Sequence, residues 1–179
     1  MLLAYSTINQ LSIALISAFL LTPKGLAAAV IHMVSHSFTK ICIFYATGSF
    51  YSLNKTYNIS DLAGINKQMP KTSLILLIAT LSLIGMPPFA GFISKFYIMM
   101  AAADQHHLLV MIIIAFSSIF SFLYISRIII TIYKPVKSKP HVAETFLPLS
   151  MFIALSLCIS LVIGFFFIQQ IINVFLIFM

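Results

Sequence analysis

Residues 72–103 read TSLILLIATLSLIGMPPFAGFISKFYIMMAAA, and the interruption at their centre decides the fold. The first half, to Gly85, is strongly apolar. Then come Gly85, Pro87, Pro88 and Gly91, followed by a second apolar run that carries Lys95. Adjacent prolines remove backbone donors, and the glycines free the chain on either side. As one straight helix, roughly thirty residues at about 1.5 Å each would overshoot a bilayer core. Two full spans would need about 40 residues plus a turn. The stretch is therefore expected to form a single crossing that is discontinuous at Gly85, Pro87, Pro88 and Gly91. The alternative is a helical hairpin dipping into the membrane.

The rest of the chain supports a membrane class. Of its 179 residues, 61% are hydrophobic and only 7% charged, too few charges to coat a soluble domain, which carries about 25%. Five crossings are expected. The first covers about Leu2–Leu21 and the second about Leu26–Leu53, which is polar throughout. The broken third, about Thr72–Ala103, follows a polar loop over Asn54–Lys71. The fourth covers about Leu108–Tyr133 and the fifth about Phe146–Ile168. The chain thus reads as all-α integral membrane, one transmembrane domain over 1–179, with no signal peptide.

With five crossings the loops alternate sides. Lys55, Lys67, Lys71, Lys134, Lys137 and Lys139 then share one side, and Lys24 stands on the other. Positive-inside logic places the N-terminus in the cytoplasm and the C-terminus outside, in a bacterial-type inner membrane. The net charge of +7 is thereby explained by topology rather than by nucleic-acid binding. Cys42 and Cys158 fall in separate apolar runs and read as buried free thiols. No soluble-enzyme fingerprint is present, and no metal, cofactor or redox site is expected. His106 and His107, beside Asp104, point apart on a helix and do not make a metal site.

Three basic residues lie within spans, where charge is costly and marks ion pathways. His32, His36 and Lys40 recur every four residues, which on a helix makes one stripe about 12 Å long with groups roughly 6 Å apart. Histidine exchanges protons near neutral pH, and a desolvated lysine can join it. Linked by water, such a stripe hands protons along. Lys95 follows the helix break by a few residues, as a gate or relay would. Arg127 keeps its charge at any accessible pH and is expected to snorkel. Asp61, Asp104 and Glu144 lie outside the deep spans, so the chain is short of membrane carboxylates.

These residues resemble a known family, the antiporter-like membrane subunits of respiratory complex I and of multisubunit monovalent cation/proton antiporters. LAYSTINQ, residues 3–10, looks like the family's opening motif. His32-x-x-x-His36-x-x-x-Lys40, with Gly48 beyond, resembles the helix carrying its central lysine. DLAGINKQMP, residues 61–70, resembles the family loop ending in Met-Pro. LSLIGMPPFAGFISK, residues 81–95, resembles the broken helix with its lysine. Specific motifs cover about residues 2–100, and the terminal helices over 108–179 match by hydropathy.

The resemblance implies two inverted five-helix repeats, of which this chain holds the second plus a terminal helix. It implies proton or monovalent-cation translocation, with Lys40 as central relay, Lys95 on the exit side, and His32 and His36 supporting transfer. The Met-Pro-Pro region and the loop look closest to the D-type component of the cation/proton antiporters. A proton-pumping subunit of an NADH-quinone oxidoreductase is one alternative, and a truncated, inactive remnant is another. Expected partners are the lipid bilayer, the other subunits of such an assembly, and a separate chain supplying the first repeat. The chain begins where the family has already run through about nine helices, so a split gene, a truncation or a fragment is expected.

Overall fold

The computed structural model describes residues 2–56, 58–87 and 89–135, together with positions 170, 173 and 174. The expected fifth crossing, Cys158, Lys137, Lys139, Glu144 and Pro88 lie outside the described residues. Five α-helices and two 3₁₀ turns account for most of what is described, and no strand occurs among these residues. The helices are α1 (Leu2–Phe19), α2 (Pro23–Asn54), α3 (Pro70–Ile84), α4 (Ala90–Asp104) and α5 (Leu108–Ile132).

Local chemistry sets the boundaries. Thr22 caps α2 by accepting the Gly25 N–H on its hydroxyl at 2.9 Å, and Pro23 occupies the first turn, where a missing N–H costs nothing. Gly25 cannot carry a side chain: a Cβ there would sit 2.8 Å from both the Ser17 carbonyl and the Thr22 hydroxyl. That closeness lets α1 fold back on α2. Between α2 and α3 the polar loop forms 3₁₀ turns over Ile59–Leu62 and Ile65–Lys67, with Gly64 at φ 71 between them. The loop tucks Ile65 and Met69 into the core, and Pro70 opens α3.

α2 is the central element, packed against α1, α3 and α4. Its C-terminal half, with Cys42, Ile43, Ala46 and Phe50, meets Leu76, Ala79 and Leu83 of α3. Its N-terminal half, with Ala27 and Ile31, meets Ile93 and Tyr97 of α4. α3 and α4 therefore follow one another along successive halves of α2. α5 returns beside them: Ile114 packs with Ala28 and Ile98 near one end, Ile132 with Phe50 and Ile65 near the other. At α2's beginning, Lys24 bridges Asp104, the last residue of α4, at 2.7 Å.

Burial is distributed as a bilayer requires. Inside are Ser6, Gln10, Ser17, Thr39, Ser94 and a set of small residues, Ala27, Ala28, Ala79, Ala101 and Ala102. Outside are Phe19, Leu109, Phe120 and Ile130. Lipid gives no hydrophobic drive for helix association, so small residues and interhelical hydrogen bonds hold such bundles together. By length and apolarity α2 and α5 could each cross alone, whereas α3, with 15 residues, is too short to do so.

Candidate functional site

The site grows from how α3 ends. Its last four carbonyls, those of Leu81, Ser82, Leu83 and Ile84, have no partner within the helix. Gly85, at φ 92, turns the chain into the left-handed region that glycine enters without steric cost. The Met86 N–H then reaches the Leu81 carbonyl at 3.1 Å and the Gly85 N–H reaches Ser82 at 3.1 Å, a Schellman closure. Two carbonyls remain. Lys95, from the first turns of α4, donates to Leu83 at 3.3 Å and to Ile84 at 2.9 Å. Gln10 of α1 donates a second bond to the Leu83 carbonyl at 3.2 Å. An ammonium at a helix C-terminus is also favoured by the helix dipole. The third donor direction of Lys95 goes to the Ser118 hydroxyl of α5 at 3.3 Å.

Close approach makes this possible. A Cβ on Gly91 would lie 1.9 Å from the Ser82 carbonyl oxygen, so only glycine lets the start of α4 rest on the end of α3. Lys95 is thereby buried, 5% exposed, in the interior of the bundle.

On α2 the predicted stripe is present and turned inward: His32, His36 and Lys40 are all buried. The two imidazoles stack with centroids 6.5 Å apart and an interplanar angle of 18°. Ser94, next to Lys95 in sequence, donates to the Gly91 carbonyl at 3.1 Å and meets His32 Nδ1 at 2.8 Å. Nε2 of His32 and Nε2 of His36 are both buried and without a hydrogen bond among the described residues. Both histidines line a small cavity, with Gln10, Thr39, Ser82 and Gly91 on its other walls. Measured as space for water centres it is about 10 Å³, roughly enough for one molecule.

Lys40 stands one turn beyond His36. Its ammonium donates to the Leu3 carbonyl at 2.7 Å and to the Ser6 hydroxyl, and lies 5.8 Å from the centroid of the Phe44 ring. His32, His36 and Lys95 thus lie beside the end of α3, and Lys40 continues the stripe one turn further along α2, held by α1. Arg127, by contrast, is exposed on α5. Of the predicted break residues, Gly85 and Gly91 have the roles just given, Pro87 lies in the connection, and Pro88 falls outside the described residues. No group of three His, Cys, Asp or Glu side chains comes together among the described residues.

Sequence reading missed the partners. Gln10 and Ser6 lie within the quoted opening motif, but nothing in their spacing shows that they meet Leu83 and Lys40. Asn9 likewise accepts from Ser117 at 2.9 Å and donates to Ser121 at 3.3 Å across α1 and α5. The one legible signal was a run of small hydroxyl residues at 117, 118 and 121 inside a very apolar helix.

Known proteins resemble this chain. The family described as "NADH:quinone oxidoreductase/Mrp antiporter, TM" matches residues 1–121. NAD(P)H-quinone oxidoreductase subunit 2 of Prochlorococcus marinus (strain MIT 9303) is 33% identical over 146 residues, covering 81% of this chain and 28% of the relative. NADH-quinone oxidoreductase subunit N of Moorella thermoacetica is 28% identical over 157 residues, covering 86% of this chain and 33% of the relative. Chloroplastic NAD(P)H-quinone oxidoreductase subunit 5 of Chaetosphaeridium globosum is 40% identical over 102 residues, covering 52% of this chain and 15% of the relative. The chain therefore spans a third or less of the length of these relatives.

Among solved structures, a chain of an archaeal membrane-bound sulfane sulfur reductase superposes with TM-score 0.77 at 28% identity, covering 85% of this chain and 31% of that one. A chain of the Mrp complex from Dietzia sp. DQ12-45-1b superposes with TM-score 0.81 at 20% identity, covering 95% and 40%. The second likeness is one of fold. The match over residues 1–121 takes in α1 to α4 and the part of α5 that holds Lys95, and the chain belongs to the antiporter-like membrane subunit family of NADH:quinone oxidoreductases and Mrp antiporters.

Proposed function

We propose that this chain carries one proton-conducting half of an antiporter-like membrane subunit, moving protons along Lys40, His36, His32 and Lys95. The observation that carries the reading is the burial of all four groups, with His32 and His36 lining a small cavity beside the end of α3 and Lys95 closing that end through the Leu83 and Ile84 carbonyls. Buried ionisable groups are expensive in a membrane and mark ion pathways. A broken helix at that depth supplies free carbonyls and polar backbone where the path needs them.

In this reading α3 and α4 form one discontinuous crossing. Their succession along the two halves of α2 supports it, as does the Lys24–Asp104 pair at the far end. Lys55, Lys67, Lys71 and Lys134 then share the opposite end, which the positive-inside rule places in the cytoplasm together with the N-terminus of α1. Protons pass between the stripe on α2 and Lys95 through water in the cavity that both histidines line. The chain works beside the other subunits of a multisubunit membrane assembly.

Two assemblies fit. The Met-Pro-Pro region and the loop at 61–70 favour a cation/proton antiporter, in the position of its D-type component. The names of the curated relatives favour a respiratory NADH-quinone oxidoreductase, in which this chain would pump and carry out no electron chemistry. Affinity purification from the native membrane separates them: peripheral redox subunits travelling with the chain identify the respiratory complex, and their absence from an otherwise intact membrane assembly identifies the antiporter.

The translocation reading is tested in the whole assembly reconstituted in vesicles. Lys40→Ala is expected to lower proton flux at least tenfold while leaving assembly intact. Flux equal to that of the unaltered protein would rule out Lys40 as a relay. An assembly that moves no protons even with the unaltered chain would favour the inactive remnant instead.

A further inference from the structure

Each buried lysine has a short list of partners, and the lists share a feature. Lys95 donates to the carbonyls of Leu83 and Ile84 and to the Ser118 hydroxyl. The two carbonyls hold the ammonium in place, but an amide oxygen does not take up a proton at any pH a cell reaches. Ser118 is the only side chain among these partners, and a hydroxyl can accept one proton while releasing another. Its own proton rests on the Ile114 carbonyl at 3.2 Å, which leaves an oxygen lone pair free for the lysine.

The setting of Ser118 is equally specific. α5 is the most apolar helix described, with mean hydropathy 2.6, yet its hydroxyls are concentrated on the face turned inward. Ser117 and Ser121 meet Asn9 of α1, and Ser121 is fully buried. The Tyr124 hydroxyl lies beside Ser121 and beside Ser6, the residue that holds Lys40. Ser126, on the exposed side, turns back to its own helix through the Leu123 carbonyl. Hydroxyls on α5 therefore stand beside both lysine sites.

We propose that Ser118 is the proton-relay residue that exchanges protons with Lys95, placing the onward route from this lysine along the inner face of α5. In the step, an N–H bond of the Lys95 ammonium breaks as its proton bonds to the Ser118 oxygen. The hydroxyl's original proton, first turned from the Ile114 carbonyl toward a water molecule, leaves to that water as hydronium when its O–H bond breaks, so Lys95 becomes neutral and Ser118 keeps a single proton. Rotation of the hydroxyl resets it toward Ile114. The proposal rests on the translocation reading and extends it by naming the residue that takes the proton from Lys95.

The test uses the complete assembly in proton-tight vesicles, comparing Lys95→Ala, Ser118→Ala and Ser118→Thr. Ser118→Ala is expected to cut proton flux about fivefold or more, with normal assembly, and Ser118→Thr to restore at least half of it. The ratio of flux in H₂O to that in D₂O is expected to rise in Ser118→Ala, because the impaired hop becomes limiting. A merely structural serine would leave that ratio unchanged. Flux in Ser118→Ala equal to the unaltered protein, while Lys95→Ala is inactive, overturns the proposal and leaves the translocation reading standing. Full flux in Lys95→Ala overturns Lys95 as a relay and the proposal with it.

Discussion

Gly91 shows how much one missing side chain holds up. The Ser82 carbonyl lies where its Cβ would be, and backbone cannot swing aside as a flexible side chain could. Gly91→Ala must push α4 away from α3, which withdraws Lys95 from the two carbonyls it satisfies and Ser94 from His32. Overpacking alone costs about 1–3 kcal/mol, and each carbonyl left buried and unpaired adds about 1–3 kcal/mol. Gly91→Ala is expected to lower the thermal stability of the assembled subunit by several degrees or to prevent its assembly, measured by unfolding in detergent and by yield. An unaltered melting profile would show that α3 and α4 do not meet as closely as described. Gly48 is the internal comparison, since nothing lies within 4 Å of a Cβ placed there.

The same residue also marks the reach of sequence reading. Gly85, Gly91 and the proline pair read as an interruption because such residues disfavour helix interiors, and α3 ends at Ile84 while α4 begins at Ala90. The stripe of His32, His36 and Lys40 was legible because helical spacing puts residues four apart on one face. That Lys95 closes the end of α3 was not legible. It depends on how α4 leans on α3, and that follows from a contact between Gly91 and Ser82 rather than from any local preference. Gln10 meeting Leu83, and Asn9 meeting Ser117 and Ser121, are long-range contacts of the same kind.

Among the elements, α4 is held at both ends by different means. At its start, Ser94, Lys95 and the contact at Gly91 tie it to α2 and α3. At its end, Asp104 accepts from Lys24 at 2.7 Å, with both side chains about half exposed. Spacing could not have shown this pair, since 80 residues separate its members, and Lys24 reads from sequence only as a topological charge. Exposed pairs are worth about 0.2–1 kcal/mol and weaken with salt. Lys24→Ala and Asp104→Ala are each expected to shift stability by less than about 1 kcal/mol, and the double variant by no more than the larger single change. A loss of most proton flux in either single variant would show that the pair serves the path itself. The 3₁₀ turns between α2 and α3 were read only as a polar loop. Burial of Ile65 and Met69 turns that loop into a lid on the core, because hydrophobic positions two or four residues apart in a polar stretch carry no periodic signature.

For the molecule as a whole, composition alone settled the membrane class, and the described residues show why. Large apolar side chains face outward, while small residues and hydroxyls face one another inside. In water this arrangement would be unstable; in lipid it leaves the interior free for charge. The bundle uses that freedom at the end of α3, where Lys95 and two histidines stand with Gln10 and the α3 carbonyls, and one turn along α2, where Lys40 meets Leu3 and Ser6. Family membership agrees with this arrangement, and the solved relatives place chains of the same fold in multisubunit membrane complexes.

In the proposed pathway Lys40 works by gaining and losing a proton, not by its charge alone. Lys40→Arg separates the two, because a guanidinium keeps its positive charge at any accessible pH and does not release its proton. The deciding measurement is proton flux through the complete assembly in vesicles, driven by an imposed gradient, with the arginine variant present in normal amount. A relay at Lys40 predicts that flux falls at least tenfold, to the level of Lys40→Ala. Flux within twofold of the unaltered protein would contradict it, since a fixed positive charge at residue 40 would then suffice.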